Sequence, residues 1–300
     1  MPSAFTLREP SKLNVTESPL GLNDNGYPMF ECARILAGSV DIWRKSDERL
    51  IKPRQCYLSQ KTRTIKKGTL QDIVTTIYGE SDIDIDSFAR NLRAYGARNR
   101  DFWTEINAEL CHLIEALYSN RPVDGFLYLY RVHERVSVAL PLIYAHSETD
   151  FSKALDFMKS LSGEERDGEL TVFKSFVSKY FSRIDIYRDL TVDIEFGKND
   201  SDWGKNALSE IKAAMNLDQE KNARKFRADD QNQSIEMDFI DFPVFLVSFR
   251  NRLFHYTNSI RNLNLDKIGG TFELCSAVVP PILYCLSQVI AEIIRRQVRN

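Results

Sequence analysis

From residue 69 onward, apolar side chains recur every three or four positions. Leu70, Ile73, Val74 and Ile77 form one set, Phe88, Leu92 and Tyr95 a second, and Trp103, Ile106, Leu110, Leu113, Ile114 and Leu117 a third. That period gathers them on one stripe of an α-helix, so the spacing predicts successive amphipathic helices. Arg121-Pro122 interrupts the pattern, and a strongly apolar helix is expected over 123–145 through Phe126, Leu127, Tyr130, Val136 and Leu140. Pro141 should kink or end it, because proline lacks the N–H that the helix needs and crowds the preceding turn. Two further helices are expected over 151–161 and 169–181, separated by a charged turn. Between 190 and 196 the period drops to two: Leu190, Val192, Ile194 and Phe196 alternate with Thr191, Asp193 and Glu195, which predicts a half-buried strand. A moderate helix over 203–215 follows, and residues 218–234 are so polar that a mobile loop is expected. Helices over 239–256 and 272–296 close the chain, the second expected to kink or restart at Pro280-Pro281.

Residues 1–68 read differently. Pro10, Pro19, Gly21, Asn23, Asp24, Asn25, Gly26, Pro28 and Pro53 punctuate a stretch with no sustained helical period. It is expected to be an irregular, partly stranded elaboration. One short helix is predicted within 30–45, where Cys32, Ile35, Leu36, Val40 and Trp43 recur at helical spacing. The expected architecture is therefore mainly α, a multi-helix bundle over 69–300 preceded by the irregular region at 1–68. No repeat of fixed period is visible, which argues against a solenoid.

Composition narrows the function classes. The chain has 300 residues, 43% of them hydrophobic, enough for one large core or two smaller ones. Its 40 Lys and Arg nearly balance 42 Asp and Glu, so contact with a polyanion has to come from a local patch. Cys32, Cys56, Cys111, Cys275 and Cys285 are scattered without a C-x-x-C pair and read as reduced thiols. Met1 is followed by a mixed polar segment, so no secretory signal is expected. The apolar run over 274–286 is broken by its prolines and reads as too short to span a bilayer. A cytoplasmic protein without a membrane partner is the expectation.

Phosphate-loop, dinucleotide and nucleophile-elbow motifs are absent from the sequence, and no cofactor is expected. His112, His133 and His146 have no ligand spacing around them, so no metal is expected either. Asp82, Asp84 and Asp86 lack the glycine and closing glutamate of a calcium loop and fit a helix start. Arg131, His133 and Glu134 suggest a satisfied polar cluster on the apolar helix. Arg54, Lys61, Arg63, Lys66 and Lys67, with Tyr57 among them, form a basic stretch suited to tracking a phosphate backbone, and equally to a solvated edge. Arg90, Arg93, Arg98 and Arg100 with Tyr95 make a second basic group, spread over more than one helix face.

The sharpest candidate lies in the penultimate helix. At about 100° per residue, Phe242, Phe245, Leu246, Phe249, Leu253 and Tyr256 share one stripe, while Asn251 and His255 fall on the opposite side. Arg250 lies between, with an arm long enough to swing toward that pair. Phe254 is on the Arg250 flank, where an aromatic needs a cover such as a partner subunit or another helix. Arg250, Asn251 and His255, with four residues between the arginine and the histidine, resemble the R-N-x-x-x-H signature of the HEPN superfamily. One branch of that family carries a tyrosine two residues after the histidine; here Thr257 stands there, beside Tyr256.

The resemblance implies a helical-bundle fold, a composite site at a two-subunit interface and metal-independent cleavage of RNA. It also implies a place in bacterial toxin or antiviral systems. The chemistry is self-consistent: an arginine fork suits phosphate oxygens, and histidine suits the proton transfers. One motif supplies one histidine, so a homodimer would supply both a base and an acid. Two alternatives stand beside this reading. Arg250, Arg252 and His255 also suit simple decoration of a helix C-terminus. The same helix also suits a non-catalytic subunit that assembles a multiprotein defence complex with an ATPase or a separate nuclease.

Overall fold

The helical periodicity beyond residue 69 is realised along most of the chain. The computed structural model describes residues 4–14, 20–22, 27–53, 55–58, 68–78, 84–148, 150–161, 169–197, 201–217, 219, 225–254 and 261–299. Among these the fold is mainly α, with twelve α-helices and eight short strands, partly stranded at its N-terminal side. Contacts divide it into two units, one of Met1–Phe151 with Leu286–Asn300 and the other of Ser152–Cys285. The boundary expected after Gly68 falls inside the first unit.

In that first unit β1 (Phe5–Arg8), β3 (Asp41–Arg44) and β4 (Arg49–Ile51) form an antiparallel sheet in the order β1-β3-β4. A two-residue parallel pair joins β2 (Leu13–Asn14) to β5 (Gly68–Thr69). Helix α1 (Pro28–Leu36) is shorter than the helix expected over 30–45. Gly38, at φ 64°, takes the left-handed conformation that ends helices, and Trp43 enters β3 instead. Arg34 of α1 is fully buried and forks onto Glu9, Nη1 to Oε1 at 2.9 Å and Nη2 to Oε2 at 2.5 Å.

Helices α2 (Leu70–Tyr78), α3 (Ile85–Gly96), α4 (Arg100–Tyr118) and α5 (Pro122–Ser147) follow. Asp84 starts α3 as expected, its carboxylate accepting the N–H groups of Asp86 and Ser87. Helix α5 runs through Pro141 without ending. Proline costs about 3 kcal/mol inside a helix, and burial of Val136, Leu140, Ile143 and Tyr144 around it offsets that. The expected polar cluster on α5 is corrected. Arg131 reaches Glu109 of α4 at 2.6 Å, and Glu134 lies on the exposed face. His133 is fully buried with its ring 5.7 Å from that of Tyr130, and burial pushes its pKa down to about 4, so it is neutral.

The second unit is built around aromatic rings. It contains most of α6 (Phe151–Leu161), then α7 (Glu169–Phe176) continued as a π-turn (Val177–Phe181), and α8 (Asp185–Arg188). Strand β6 (Thr191–Glu195) realises the expected alternation, and α9 (Ser201–Met215) follows. Part of the expected loop over 218–234 is instead ordered as a hairpin of β7 (Phe226–Asp229) and β8 (Ser234–Asp238), giving an antiparallel sheet β6-β8-β7. Its charges are cross-strand pairs: Arg227 meets Glu236 at 2.5 Å and Asp238 at 2.7 Å while Phe226, Ile235 and Met237 are buried.

A 3-10 turn (Phe239–Asp241) leads into α10 (Phe242–Phe254), followed by α11 (Leu265–Ile268) and α12 (Phe272–Arg299). Helix α12 is continuous through Pro280-Pro281, so it does not begin anew there. Over Phe272–Val298 it is long and apolar enough to cross a membrane, which the sequence run over 274–286 was expected not to be. Yet 72% of its most apolar window is buried within the protein, as in a core helix.

Candidate functional site at the end of helix α10

Helix α10 tolerates Pro243 because it sits in the first turn, where its missing N–H would have no helical partner. The helix is then anchored by rings. Phe242 lies against Phe239 and Phe173 at 5.8 and 6.4 Å between centroids, and Phe245 against Phe226 and Phe249 at 5.9 and 5.8 Å. Phe242, Phe245, Leu246 and Phe249 are buried as the wheel places them, whereas Leu253 is half-buried. The stripe therefore fixes the helix's rotation firmly up to Phe249 and less firmly in its last turn.

The residues after Phe249 carry the candidate chemistry. Arg250 and Asn251 are both half-buried, and the Arg250 Nη1 donates to the Asn251 side-chain oxygen at 3.0 Å. The structure thus brings these two residues together. His255, with Tyr256 and Thr257, lies outside the described residues, as do Arg54, Lys61, Arg63, Lys66 and Lys67. Phe254 is 40% exposed.

Arg252 is the residue that the motif reading passed over. Its Nε donates to the Ala214 carbonyl at 2.6 Å and its Nη1 to the Ser248 carbonyl at 3.1 Å. Ala214 is in the last turn of α9, whose final carbonyls have no partner inside the helix, so Arg252 caps one helix from another. Burial lowers its pKa from the ordinary arginine value. The readable signal was its wheel position beside the phenylalanine stripe, which puts its stem against protein. The backbone N–H of Leu263 donates to the Arg252 carbonyl at 3.2 Å, so the described chain on either side of 255–260 meets at this helix end.

Two further features hold the neighbourhood. Glu210 of α9 is buried between Lys267 at 3.0 Å and Arg261 at 3.4 Å. Burial alone would raise its pKa, but the two cations outweigh it and hold the carboxyl below its usual range. Trp203 Nε1 donates to the Ile268 carbonyl at 2.8 Å. Both contacts tie α9 to the segment that follows the motif.

The other candidates are placed less favourably for chemistry. In the first unit, Arg90 donates to Ser87, Arg93 to the Tyr27 hydroxyl, and Arg98 lies 3.2 Å from a His146 ring nitrogen. These arginines serve local structure. A cavity of about 430 Å³ in the same unit is lined by Pro53, Gln55, Tyr57, Ile114, Leu117 and Tyr118, with no motif residue. All five cysteines are free and buried. Burial raises the thiol pKa of Cys111 and Cys275 to about 12 and that of Cys32 and Cys285 further. Among the described residues no group of three or more His, Cys, Asp or Glu side chains is arranged to hold a metal ion. No family model, curated protein or solved structure matches this chain.

Proposed function

We propose that this chain is a HEPN-type, metal-independent ribonuclease of a bacterial toxin or antiviral defence system, working in the cytoplasm with a composite active site at a dimer interface. The observation that carries the reading is the Arg250–Asn251 hydrogen bond on a helix whose other face is anchored by phenylalanines. The reading gives each motif residue a role. Arg250 presents its guanidinium fork to a phosphate of RNA and stabilises the charge that develops there as the 2′-oxygen attacks. Asn251 holds that guanidinium in place through its side-chain oxygen. His255 takes the 2′-hydroxyl proton in one subunit and, as the second copy, returns a proton to the departing 5′-oxygen.

The test is expression of wild type, Arg250→Ala and His255→Ala in a bacterial host, with growth and RNA integrity followed together. The reading expects arrest and RNA fragmentation from the wild type and neither from the variants. Equal behaviour of all three, with each protein folded, favours the non-catalytic assembly subunit instead.

A further inference from the structure

Helix α5 carries an exposed stripe that its own unit leaves uncovered. Leu127, Arg131, Glu134, Arg135, Val138 and Leu142 are all exposed and fall within about 100° of one another on the wheel. Leu127 and Leu142 are 47% and 54% exposed and, with Val138, form the apolar part of the stripe. Their order is symmetric about the point between Glu134 and Arg135. Reversing the helix about that point sets Leu127 on Leu142, Arg131 on Val138 and Glu134 on Arg135. The charges follow the same logic. Arg131 and Arg135 pair with Glu109 within their own chain, and Arg135 also with Glu105. Glu134 forms no ion pair with any described residue, and the reversed copy sets it opposite Arg135.

We propose that this face of α5 binds a second copy of the same chain, antiparallel, about a two-fold axis between Glu134 and Arg135. Leu127 packs on the partner's Leu142 at both ends of the seam, and Glu134 meets the partner's Arg135 twice at its centre. An isologous contact has this property, that residue i meets j and j meets i. The occupant is a second copy rather than a different protein because Leu127 and Leu142 exchange with each other under the reversal and Glu134 exchanges with Arg135; Arg131, which faces Val138, keeps its own Glu109. The pairing stands on the first unit alone and does not depend on the ribonuclease reading.

Sedimentation velocity over a concentration series tests the association, and paired cysteine variants test its geometry. Wild type is expected to dimerise, and Leu142→Glu to weaken self-association at least about tenfold while keeping the helical circular dichroism of the wild type. Glu134→Arg, which sets arginine against arginine, should weaken it as well. Under mild oxidation a mixture of Leu127→Cys and Leu142→Cys proteins should give a crosslinked dimer. Leu127→Cys alone should not, because residues 127 and 142 are about 22 Å apart along the helix and two copies of residue 127 lie at opposite ends of the seam. A wild type that stays monomeric, or a dimer indifferent to Leu142→Glu, overturns the proposal. So does a dimer in which Leu127→Cys alone crosslinks as well as the mixture.

Discussion

Arginine is used in two ways, one in the core of the first unit and the other at the end of α10 in the second. In the first, Arg34 is forked on Glu9, Arg44 meets Glu115 at 2.5 Å and Arg131 meets Glu109 at 2.6 Å, each cation answered by a carboxylate with at least one partner well buried. At the end of α10 in the second unit, Arg252 is answered by two backbone carbonyls, and Arg250 donates to the side-chain oxygen of its neighbour Asn251. A carboxylate cancels the cation's field, whereas a carbonyl or amide orients the group and leaves its net charge in place. The first pattern builds a core. The second, at Arg252, ties the end of one helix to another.

The contrast is broken most forcefully at Glu9. Glu9→Ala leaves the fully buried Arg34 guanidinium without its counter-ion, and about 3–5 kcal/mol of stability should be lost in urea denaturation. A loss near zero would mean that Arg34 does not depend on the pair.

His133 sharpens the same point by pH. Its ring takes up a proton near the ordinary 6.5 in the unfolded chain but only near 4 in the fold. Between those values the unfolded state holds the extra proton, so stability falls as pH drops from about 6.5 to about 4 and this group adds no further loss below that. The effect is on the order of 3 kcal/mol and should appear as a larger loss of stability from pH 7 to pH 4.5 in wild type than in His133→Leu. An identical pH dependence in both proteins would rule out a neutral buried ring.

Arg252→Met keeps the stem and removes the donors, so about 2 kcal/mol should be lost, with faster amide exchange at the end of α9. Unchanged exchange there would deny the cap. Arg227→Ala, on the exposed face of the hairpin, should cost less than about 1 kcal/mol in thermal denaturation at moderate salt, since screened surface pairs contribute little. A larger cost would make the hairpin's charge pairs structural rather than decorative.

The helices with a strong apolar period were legible because one buried stripe dictates them; α6 and β6 fall where the spacing of Phe151 to Leu161 and of Val192 and Ile194 places them. Pro141 and Pro280-Pro281 do not end their helices, because a local cost of a few kcal/mol is decided by tertiary burial that a single segment does not display. The hairpin of β7 and β8 was hidden by its charges: Arg227, Glu236 and Asp238 look like a solvated loop until the strands pair them. At the candidate site, the anchored stripe and the adjacency of Arg250 and Asn251 were readable from the helix wheel. The role of Arg252 was not, because its partner Ala214 is 38 residues away and is a backbone carbonyl, which leaves no mark in the side-chain sequence.

The most direct test of the account is cleavage of an end-labelled RNA by purified protein in the presence of a chelator. The account predicts fragments ending in 2′,3′-cyclic phosphate, with the rate reduced by about 10²-fold or more in His255→Ala and strongly reduced in Arg250→Ala. Cleavage that requires added metal, or that proceeds equally in wild type and His255→Ala, would contradict it.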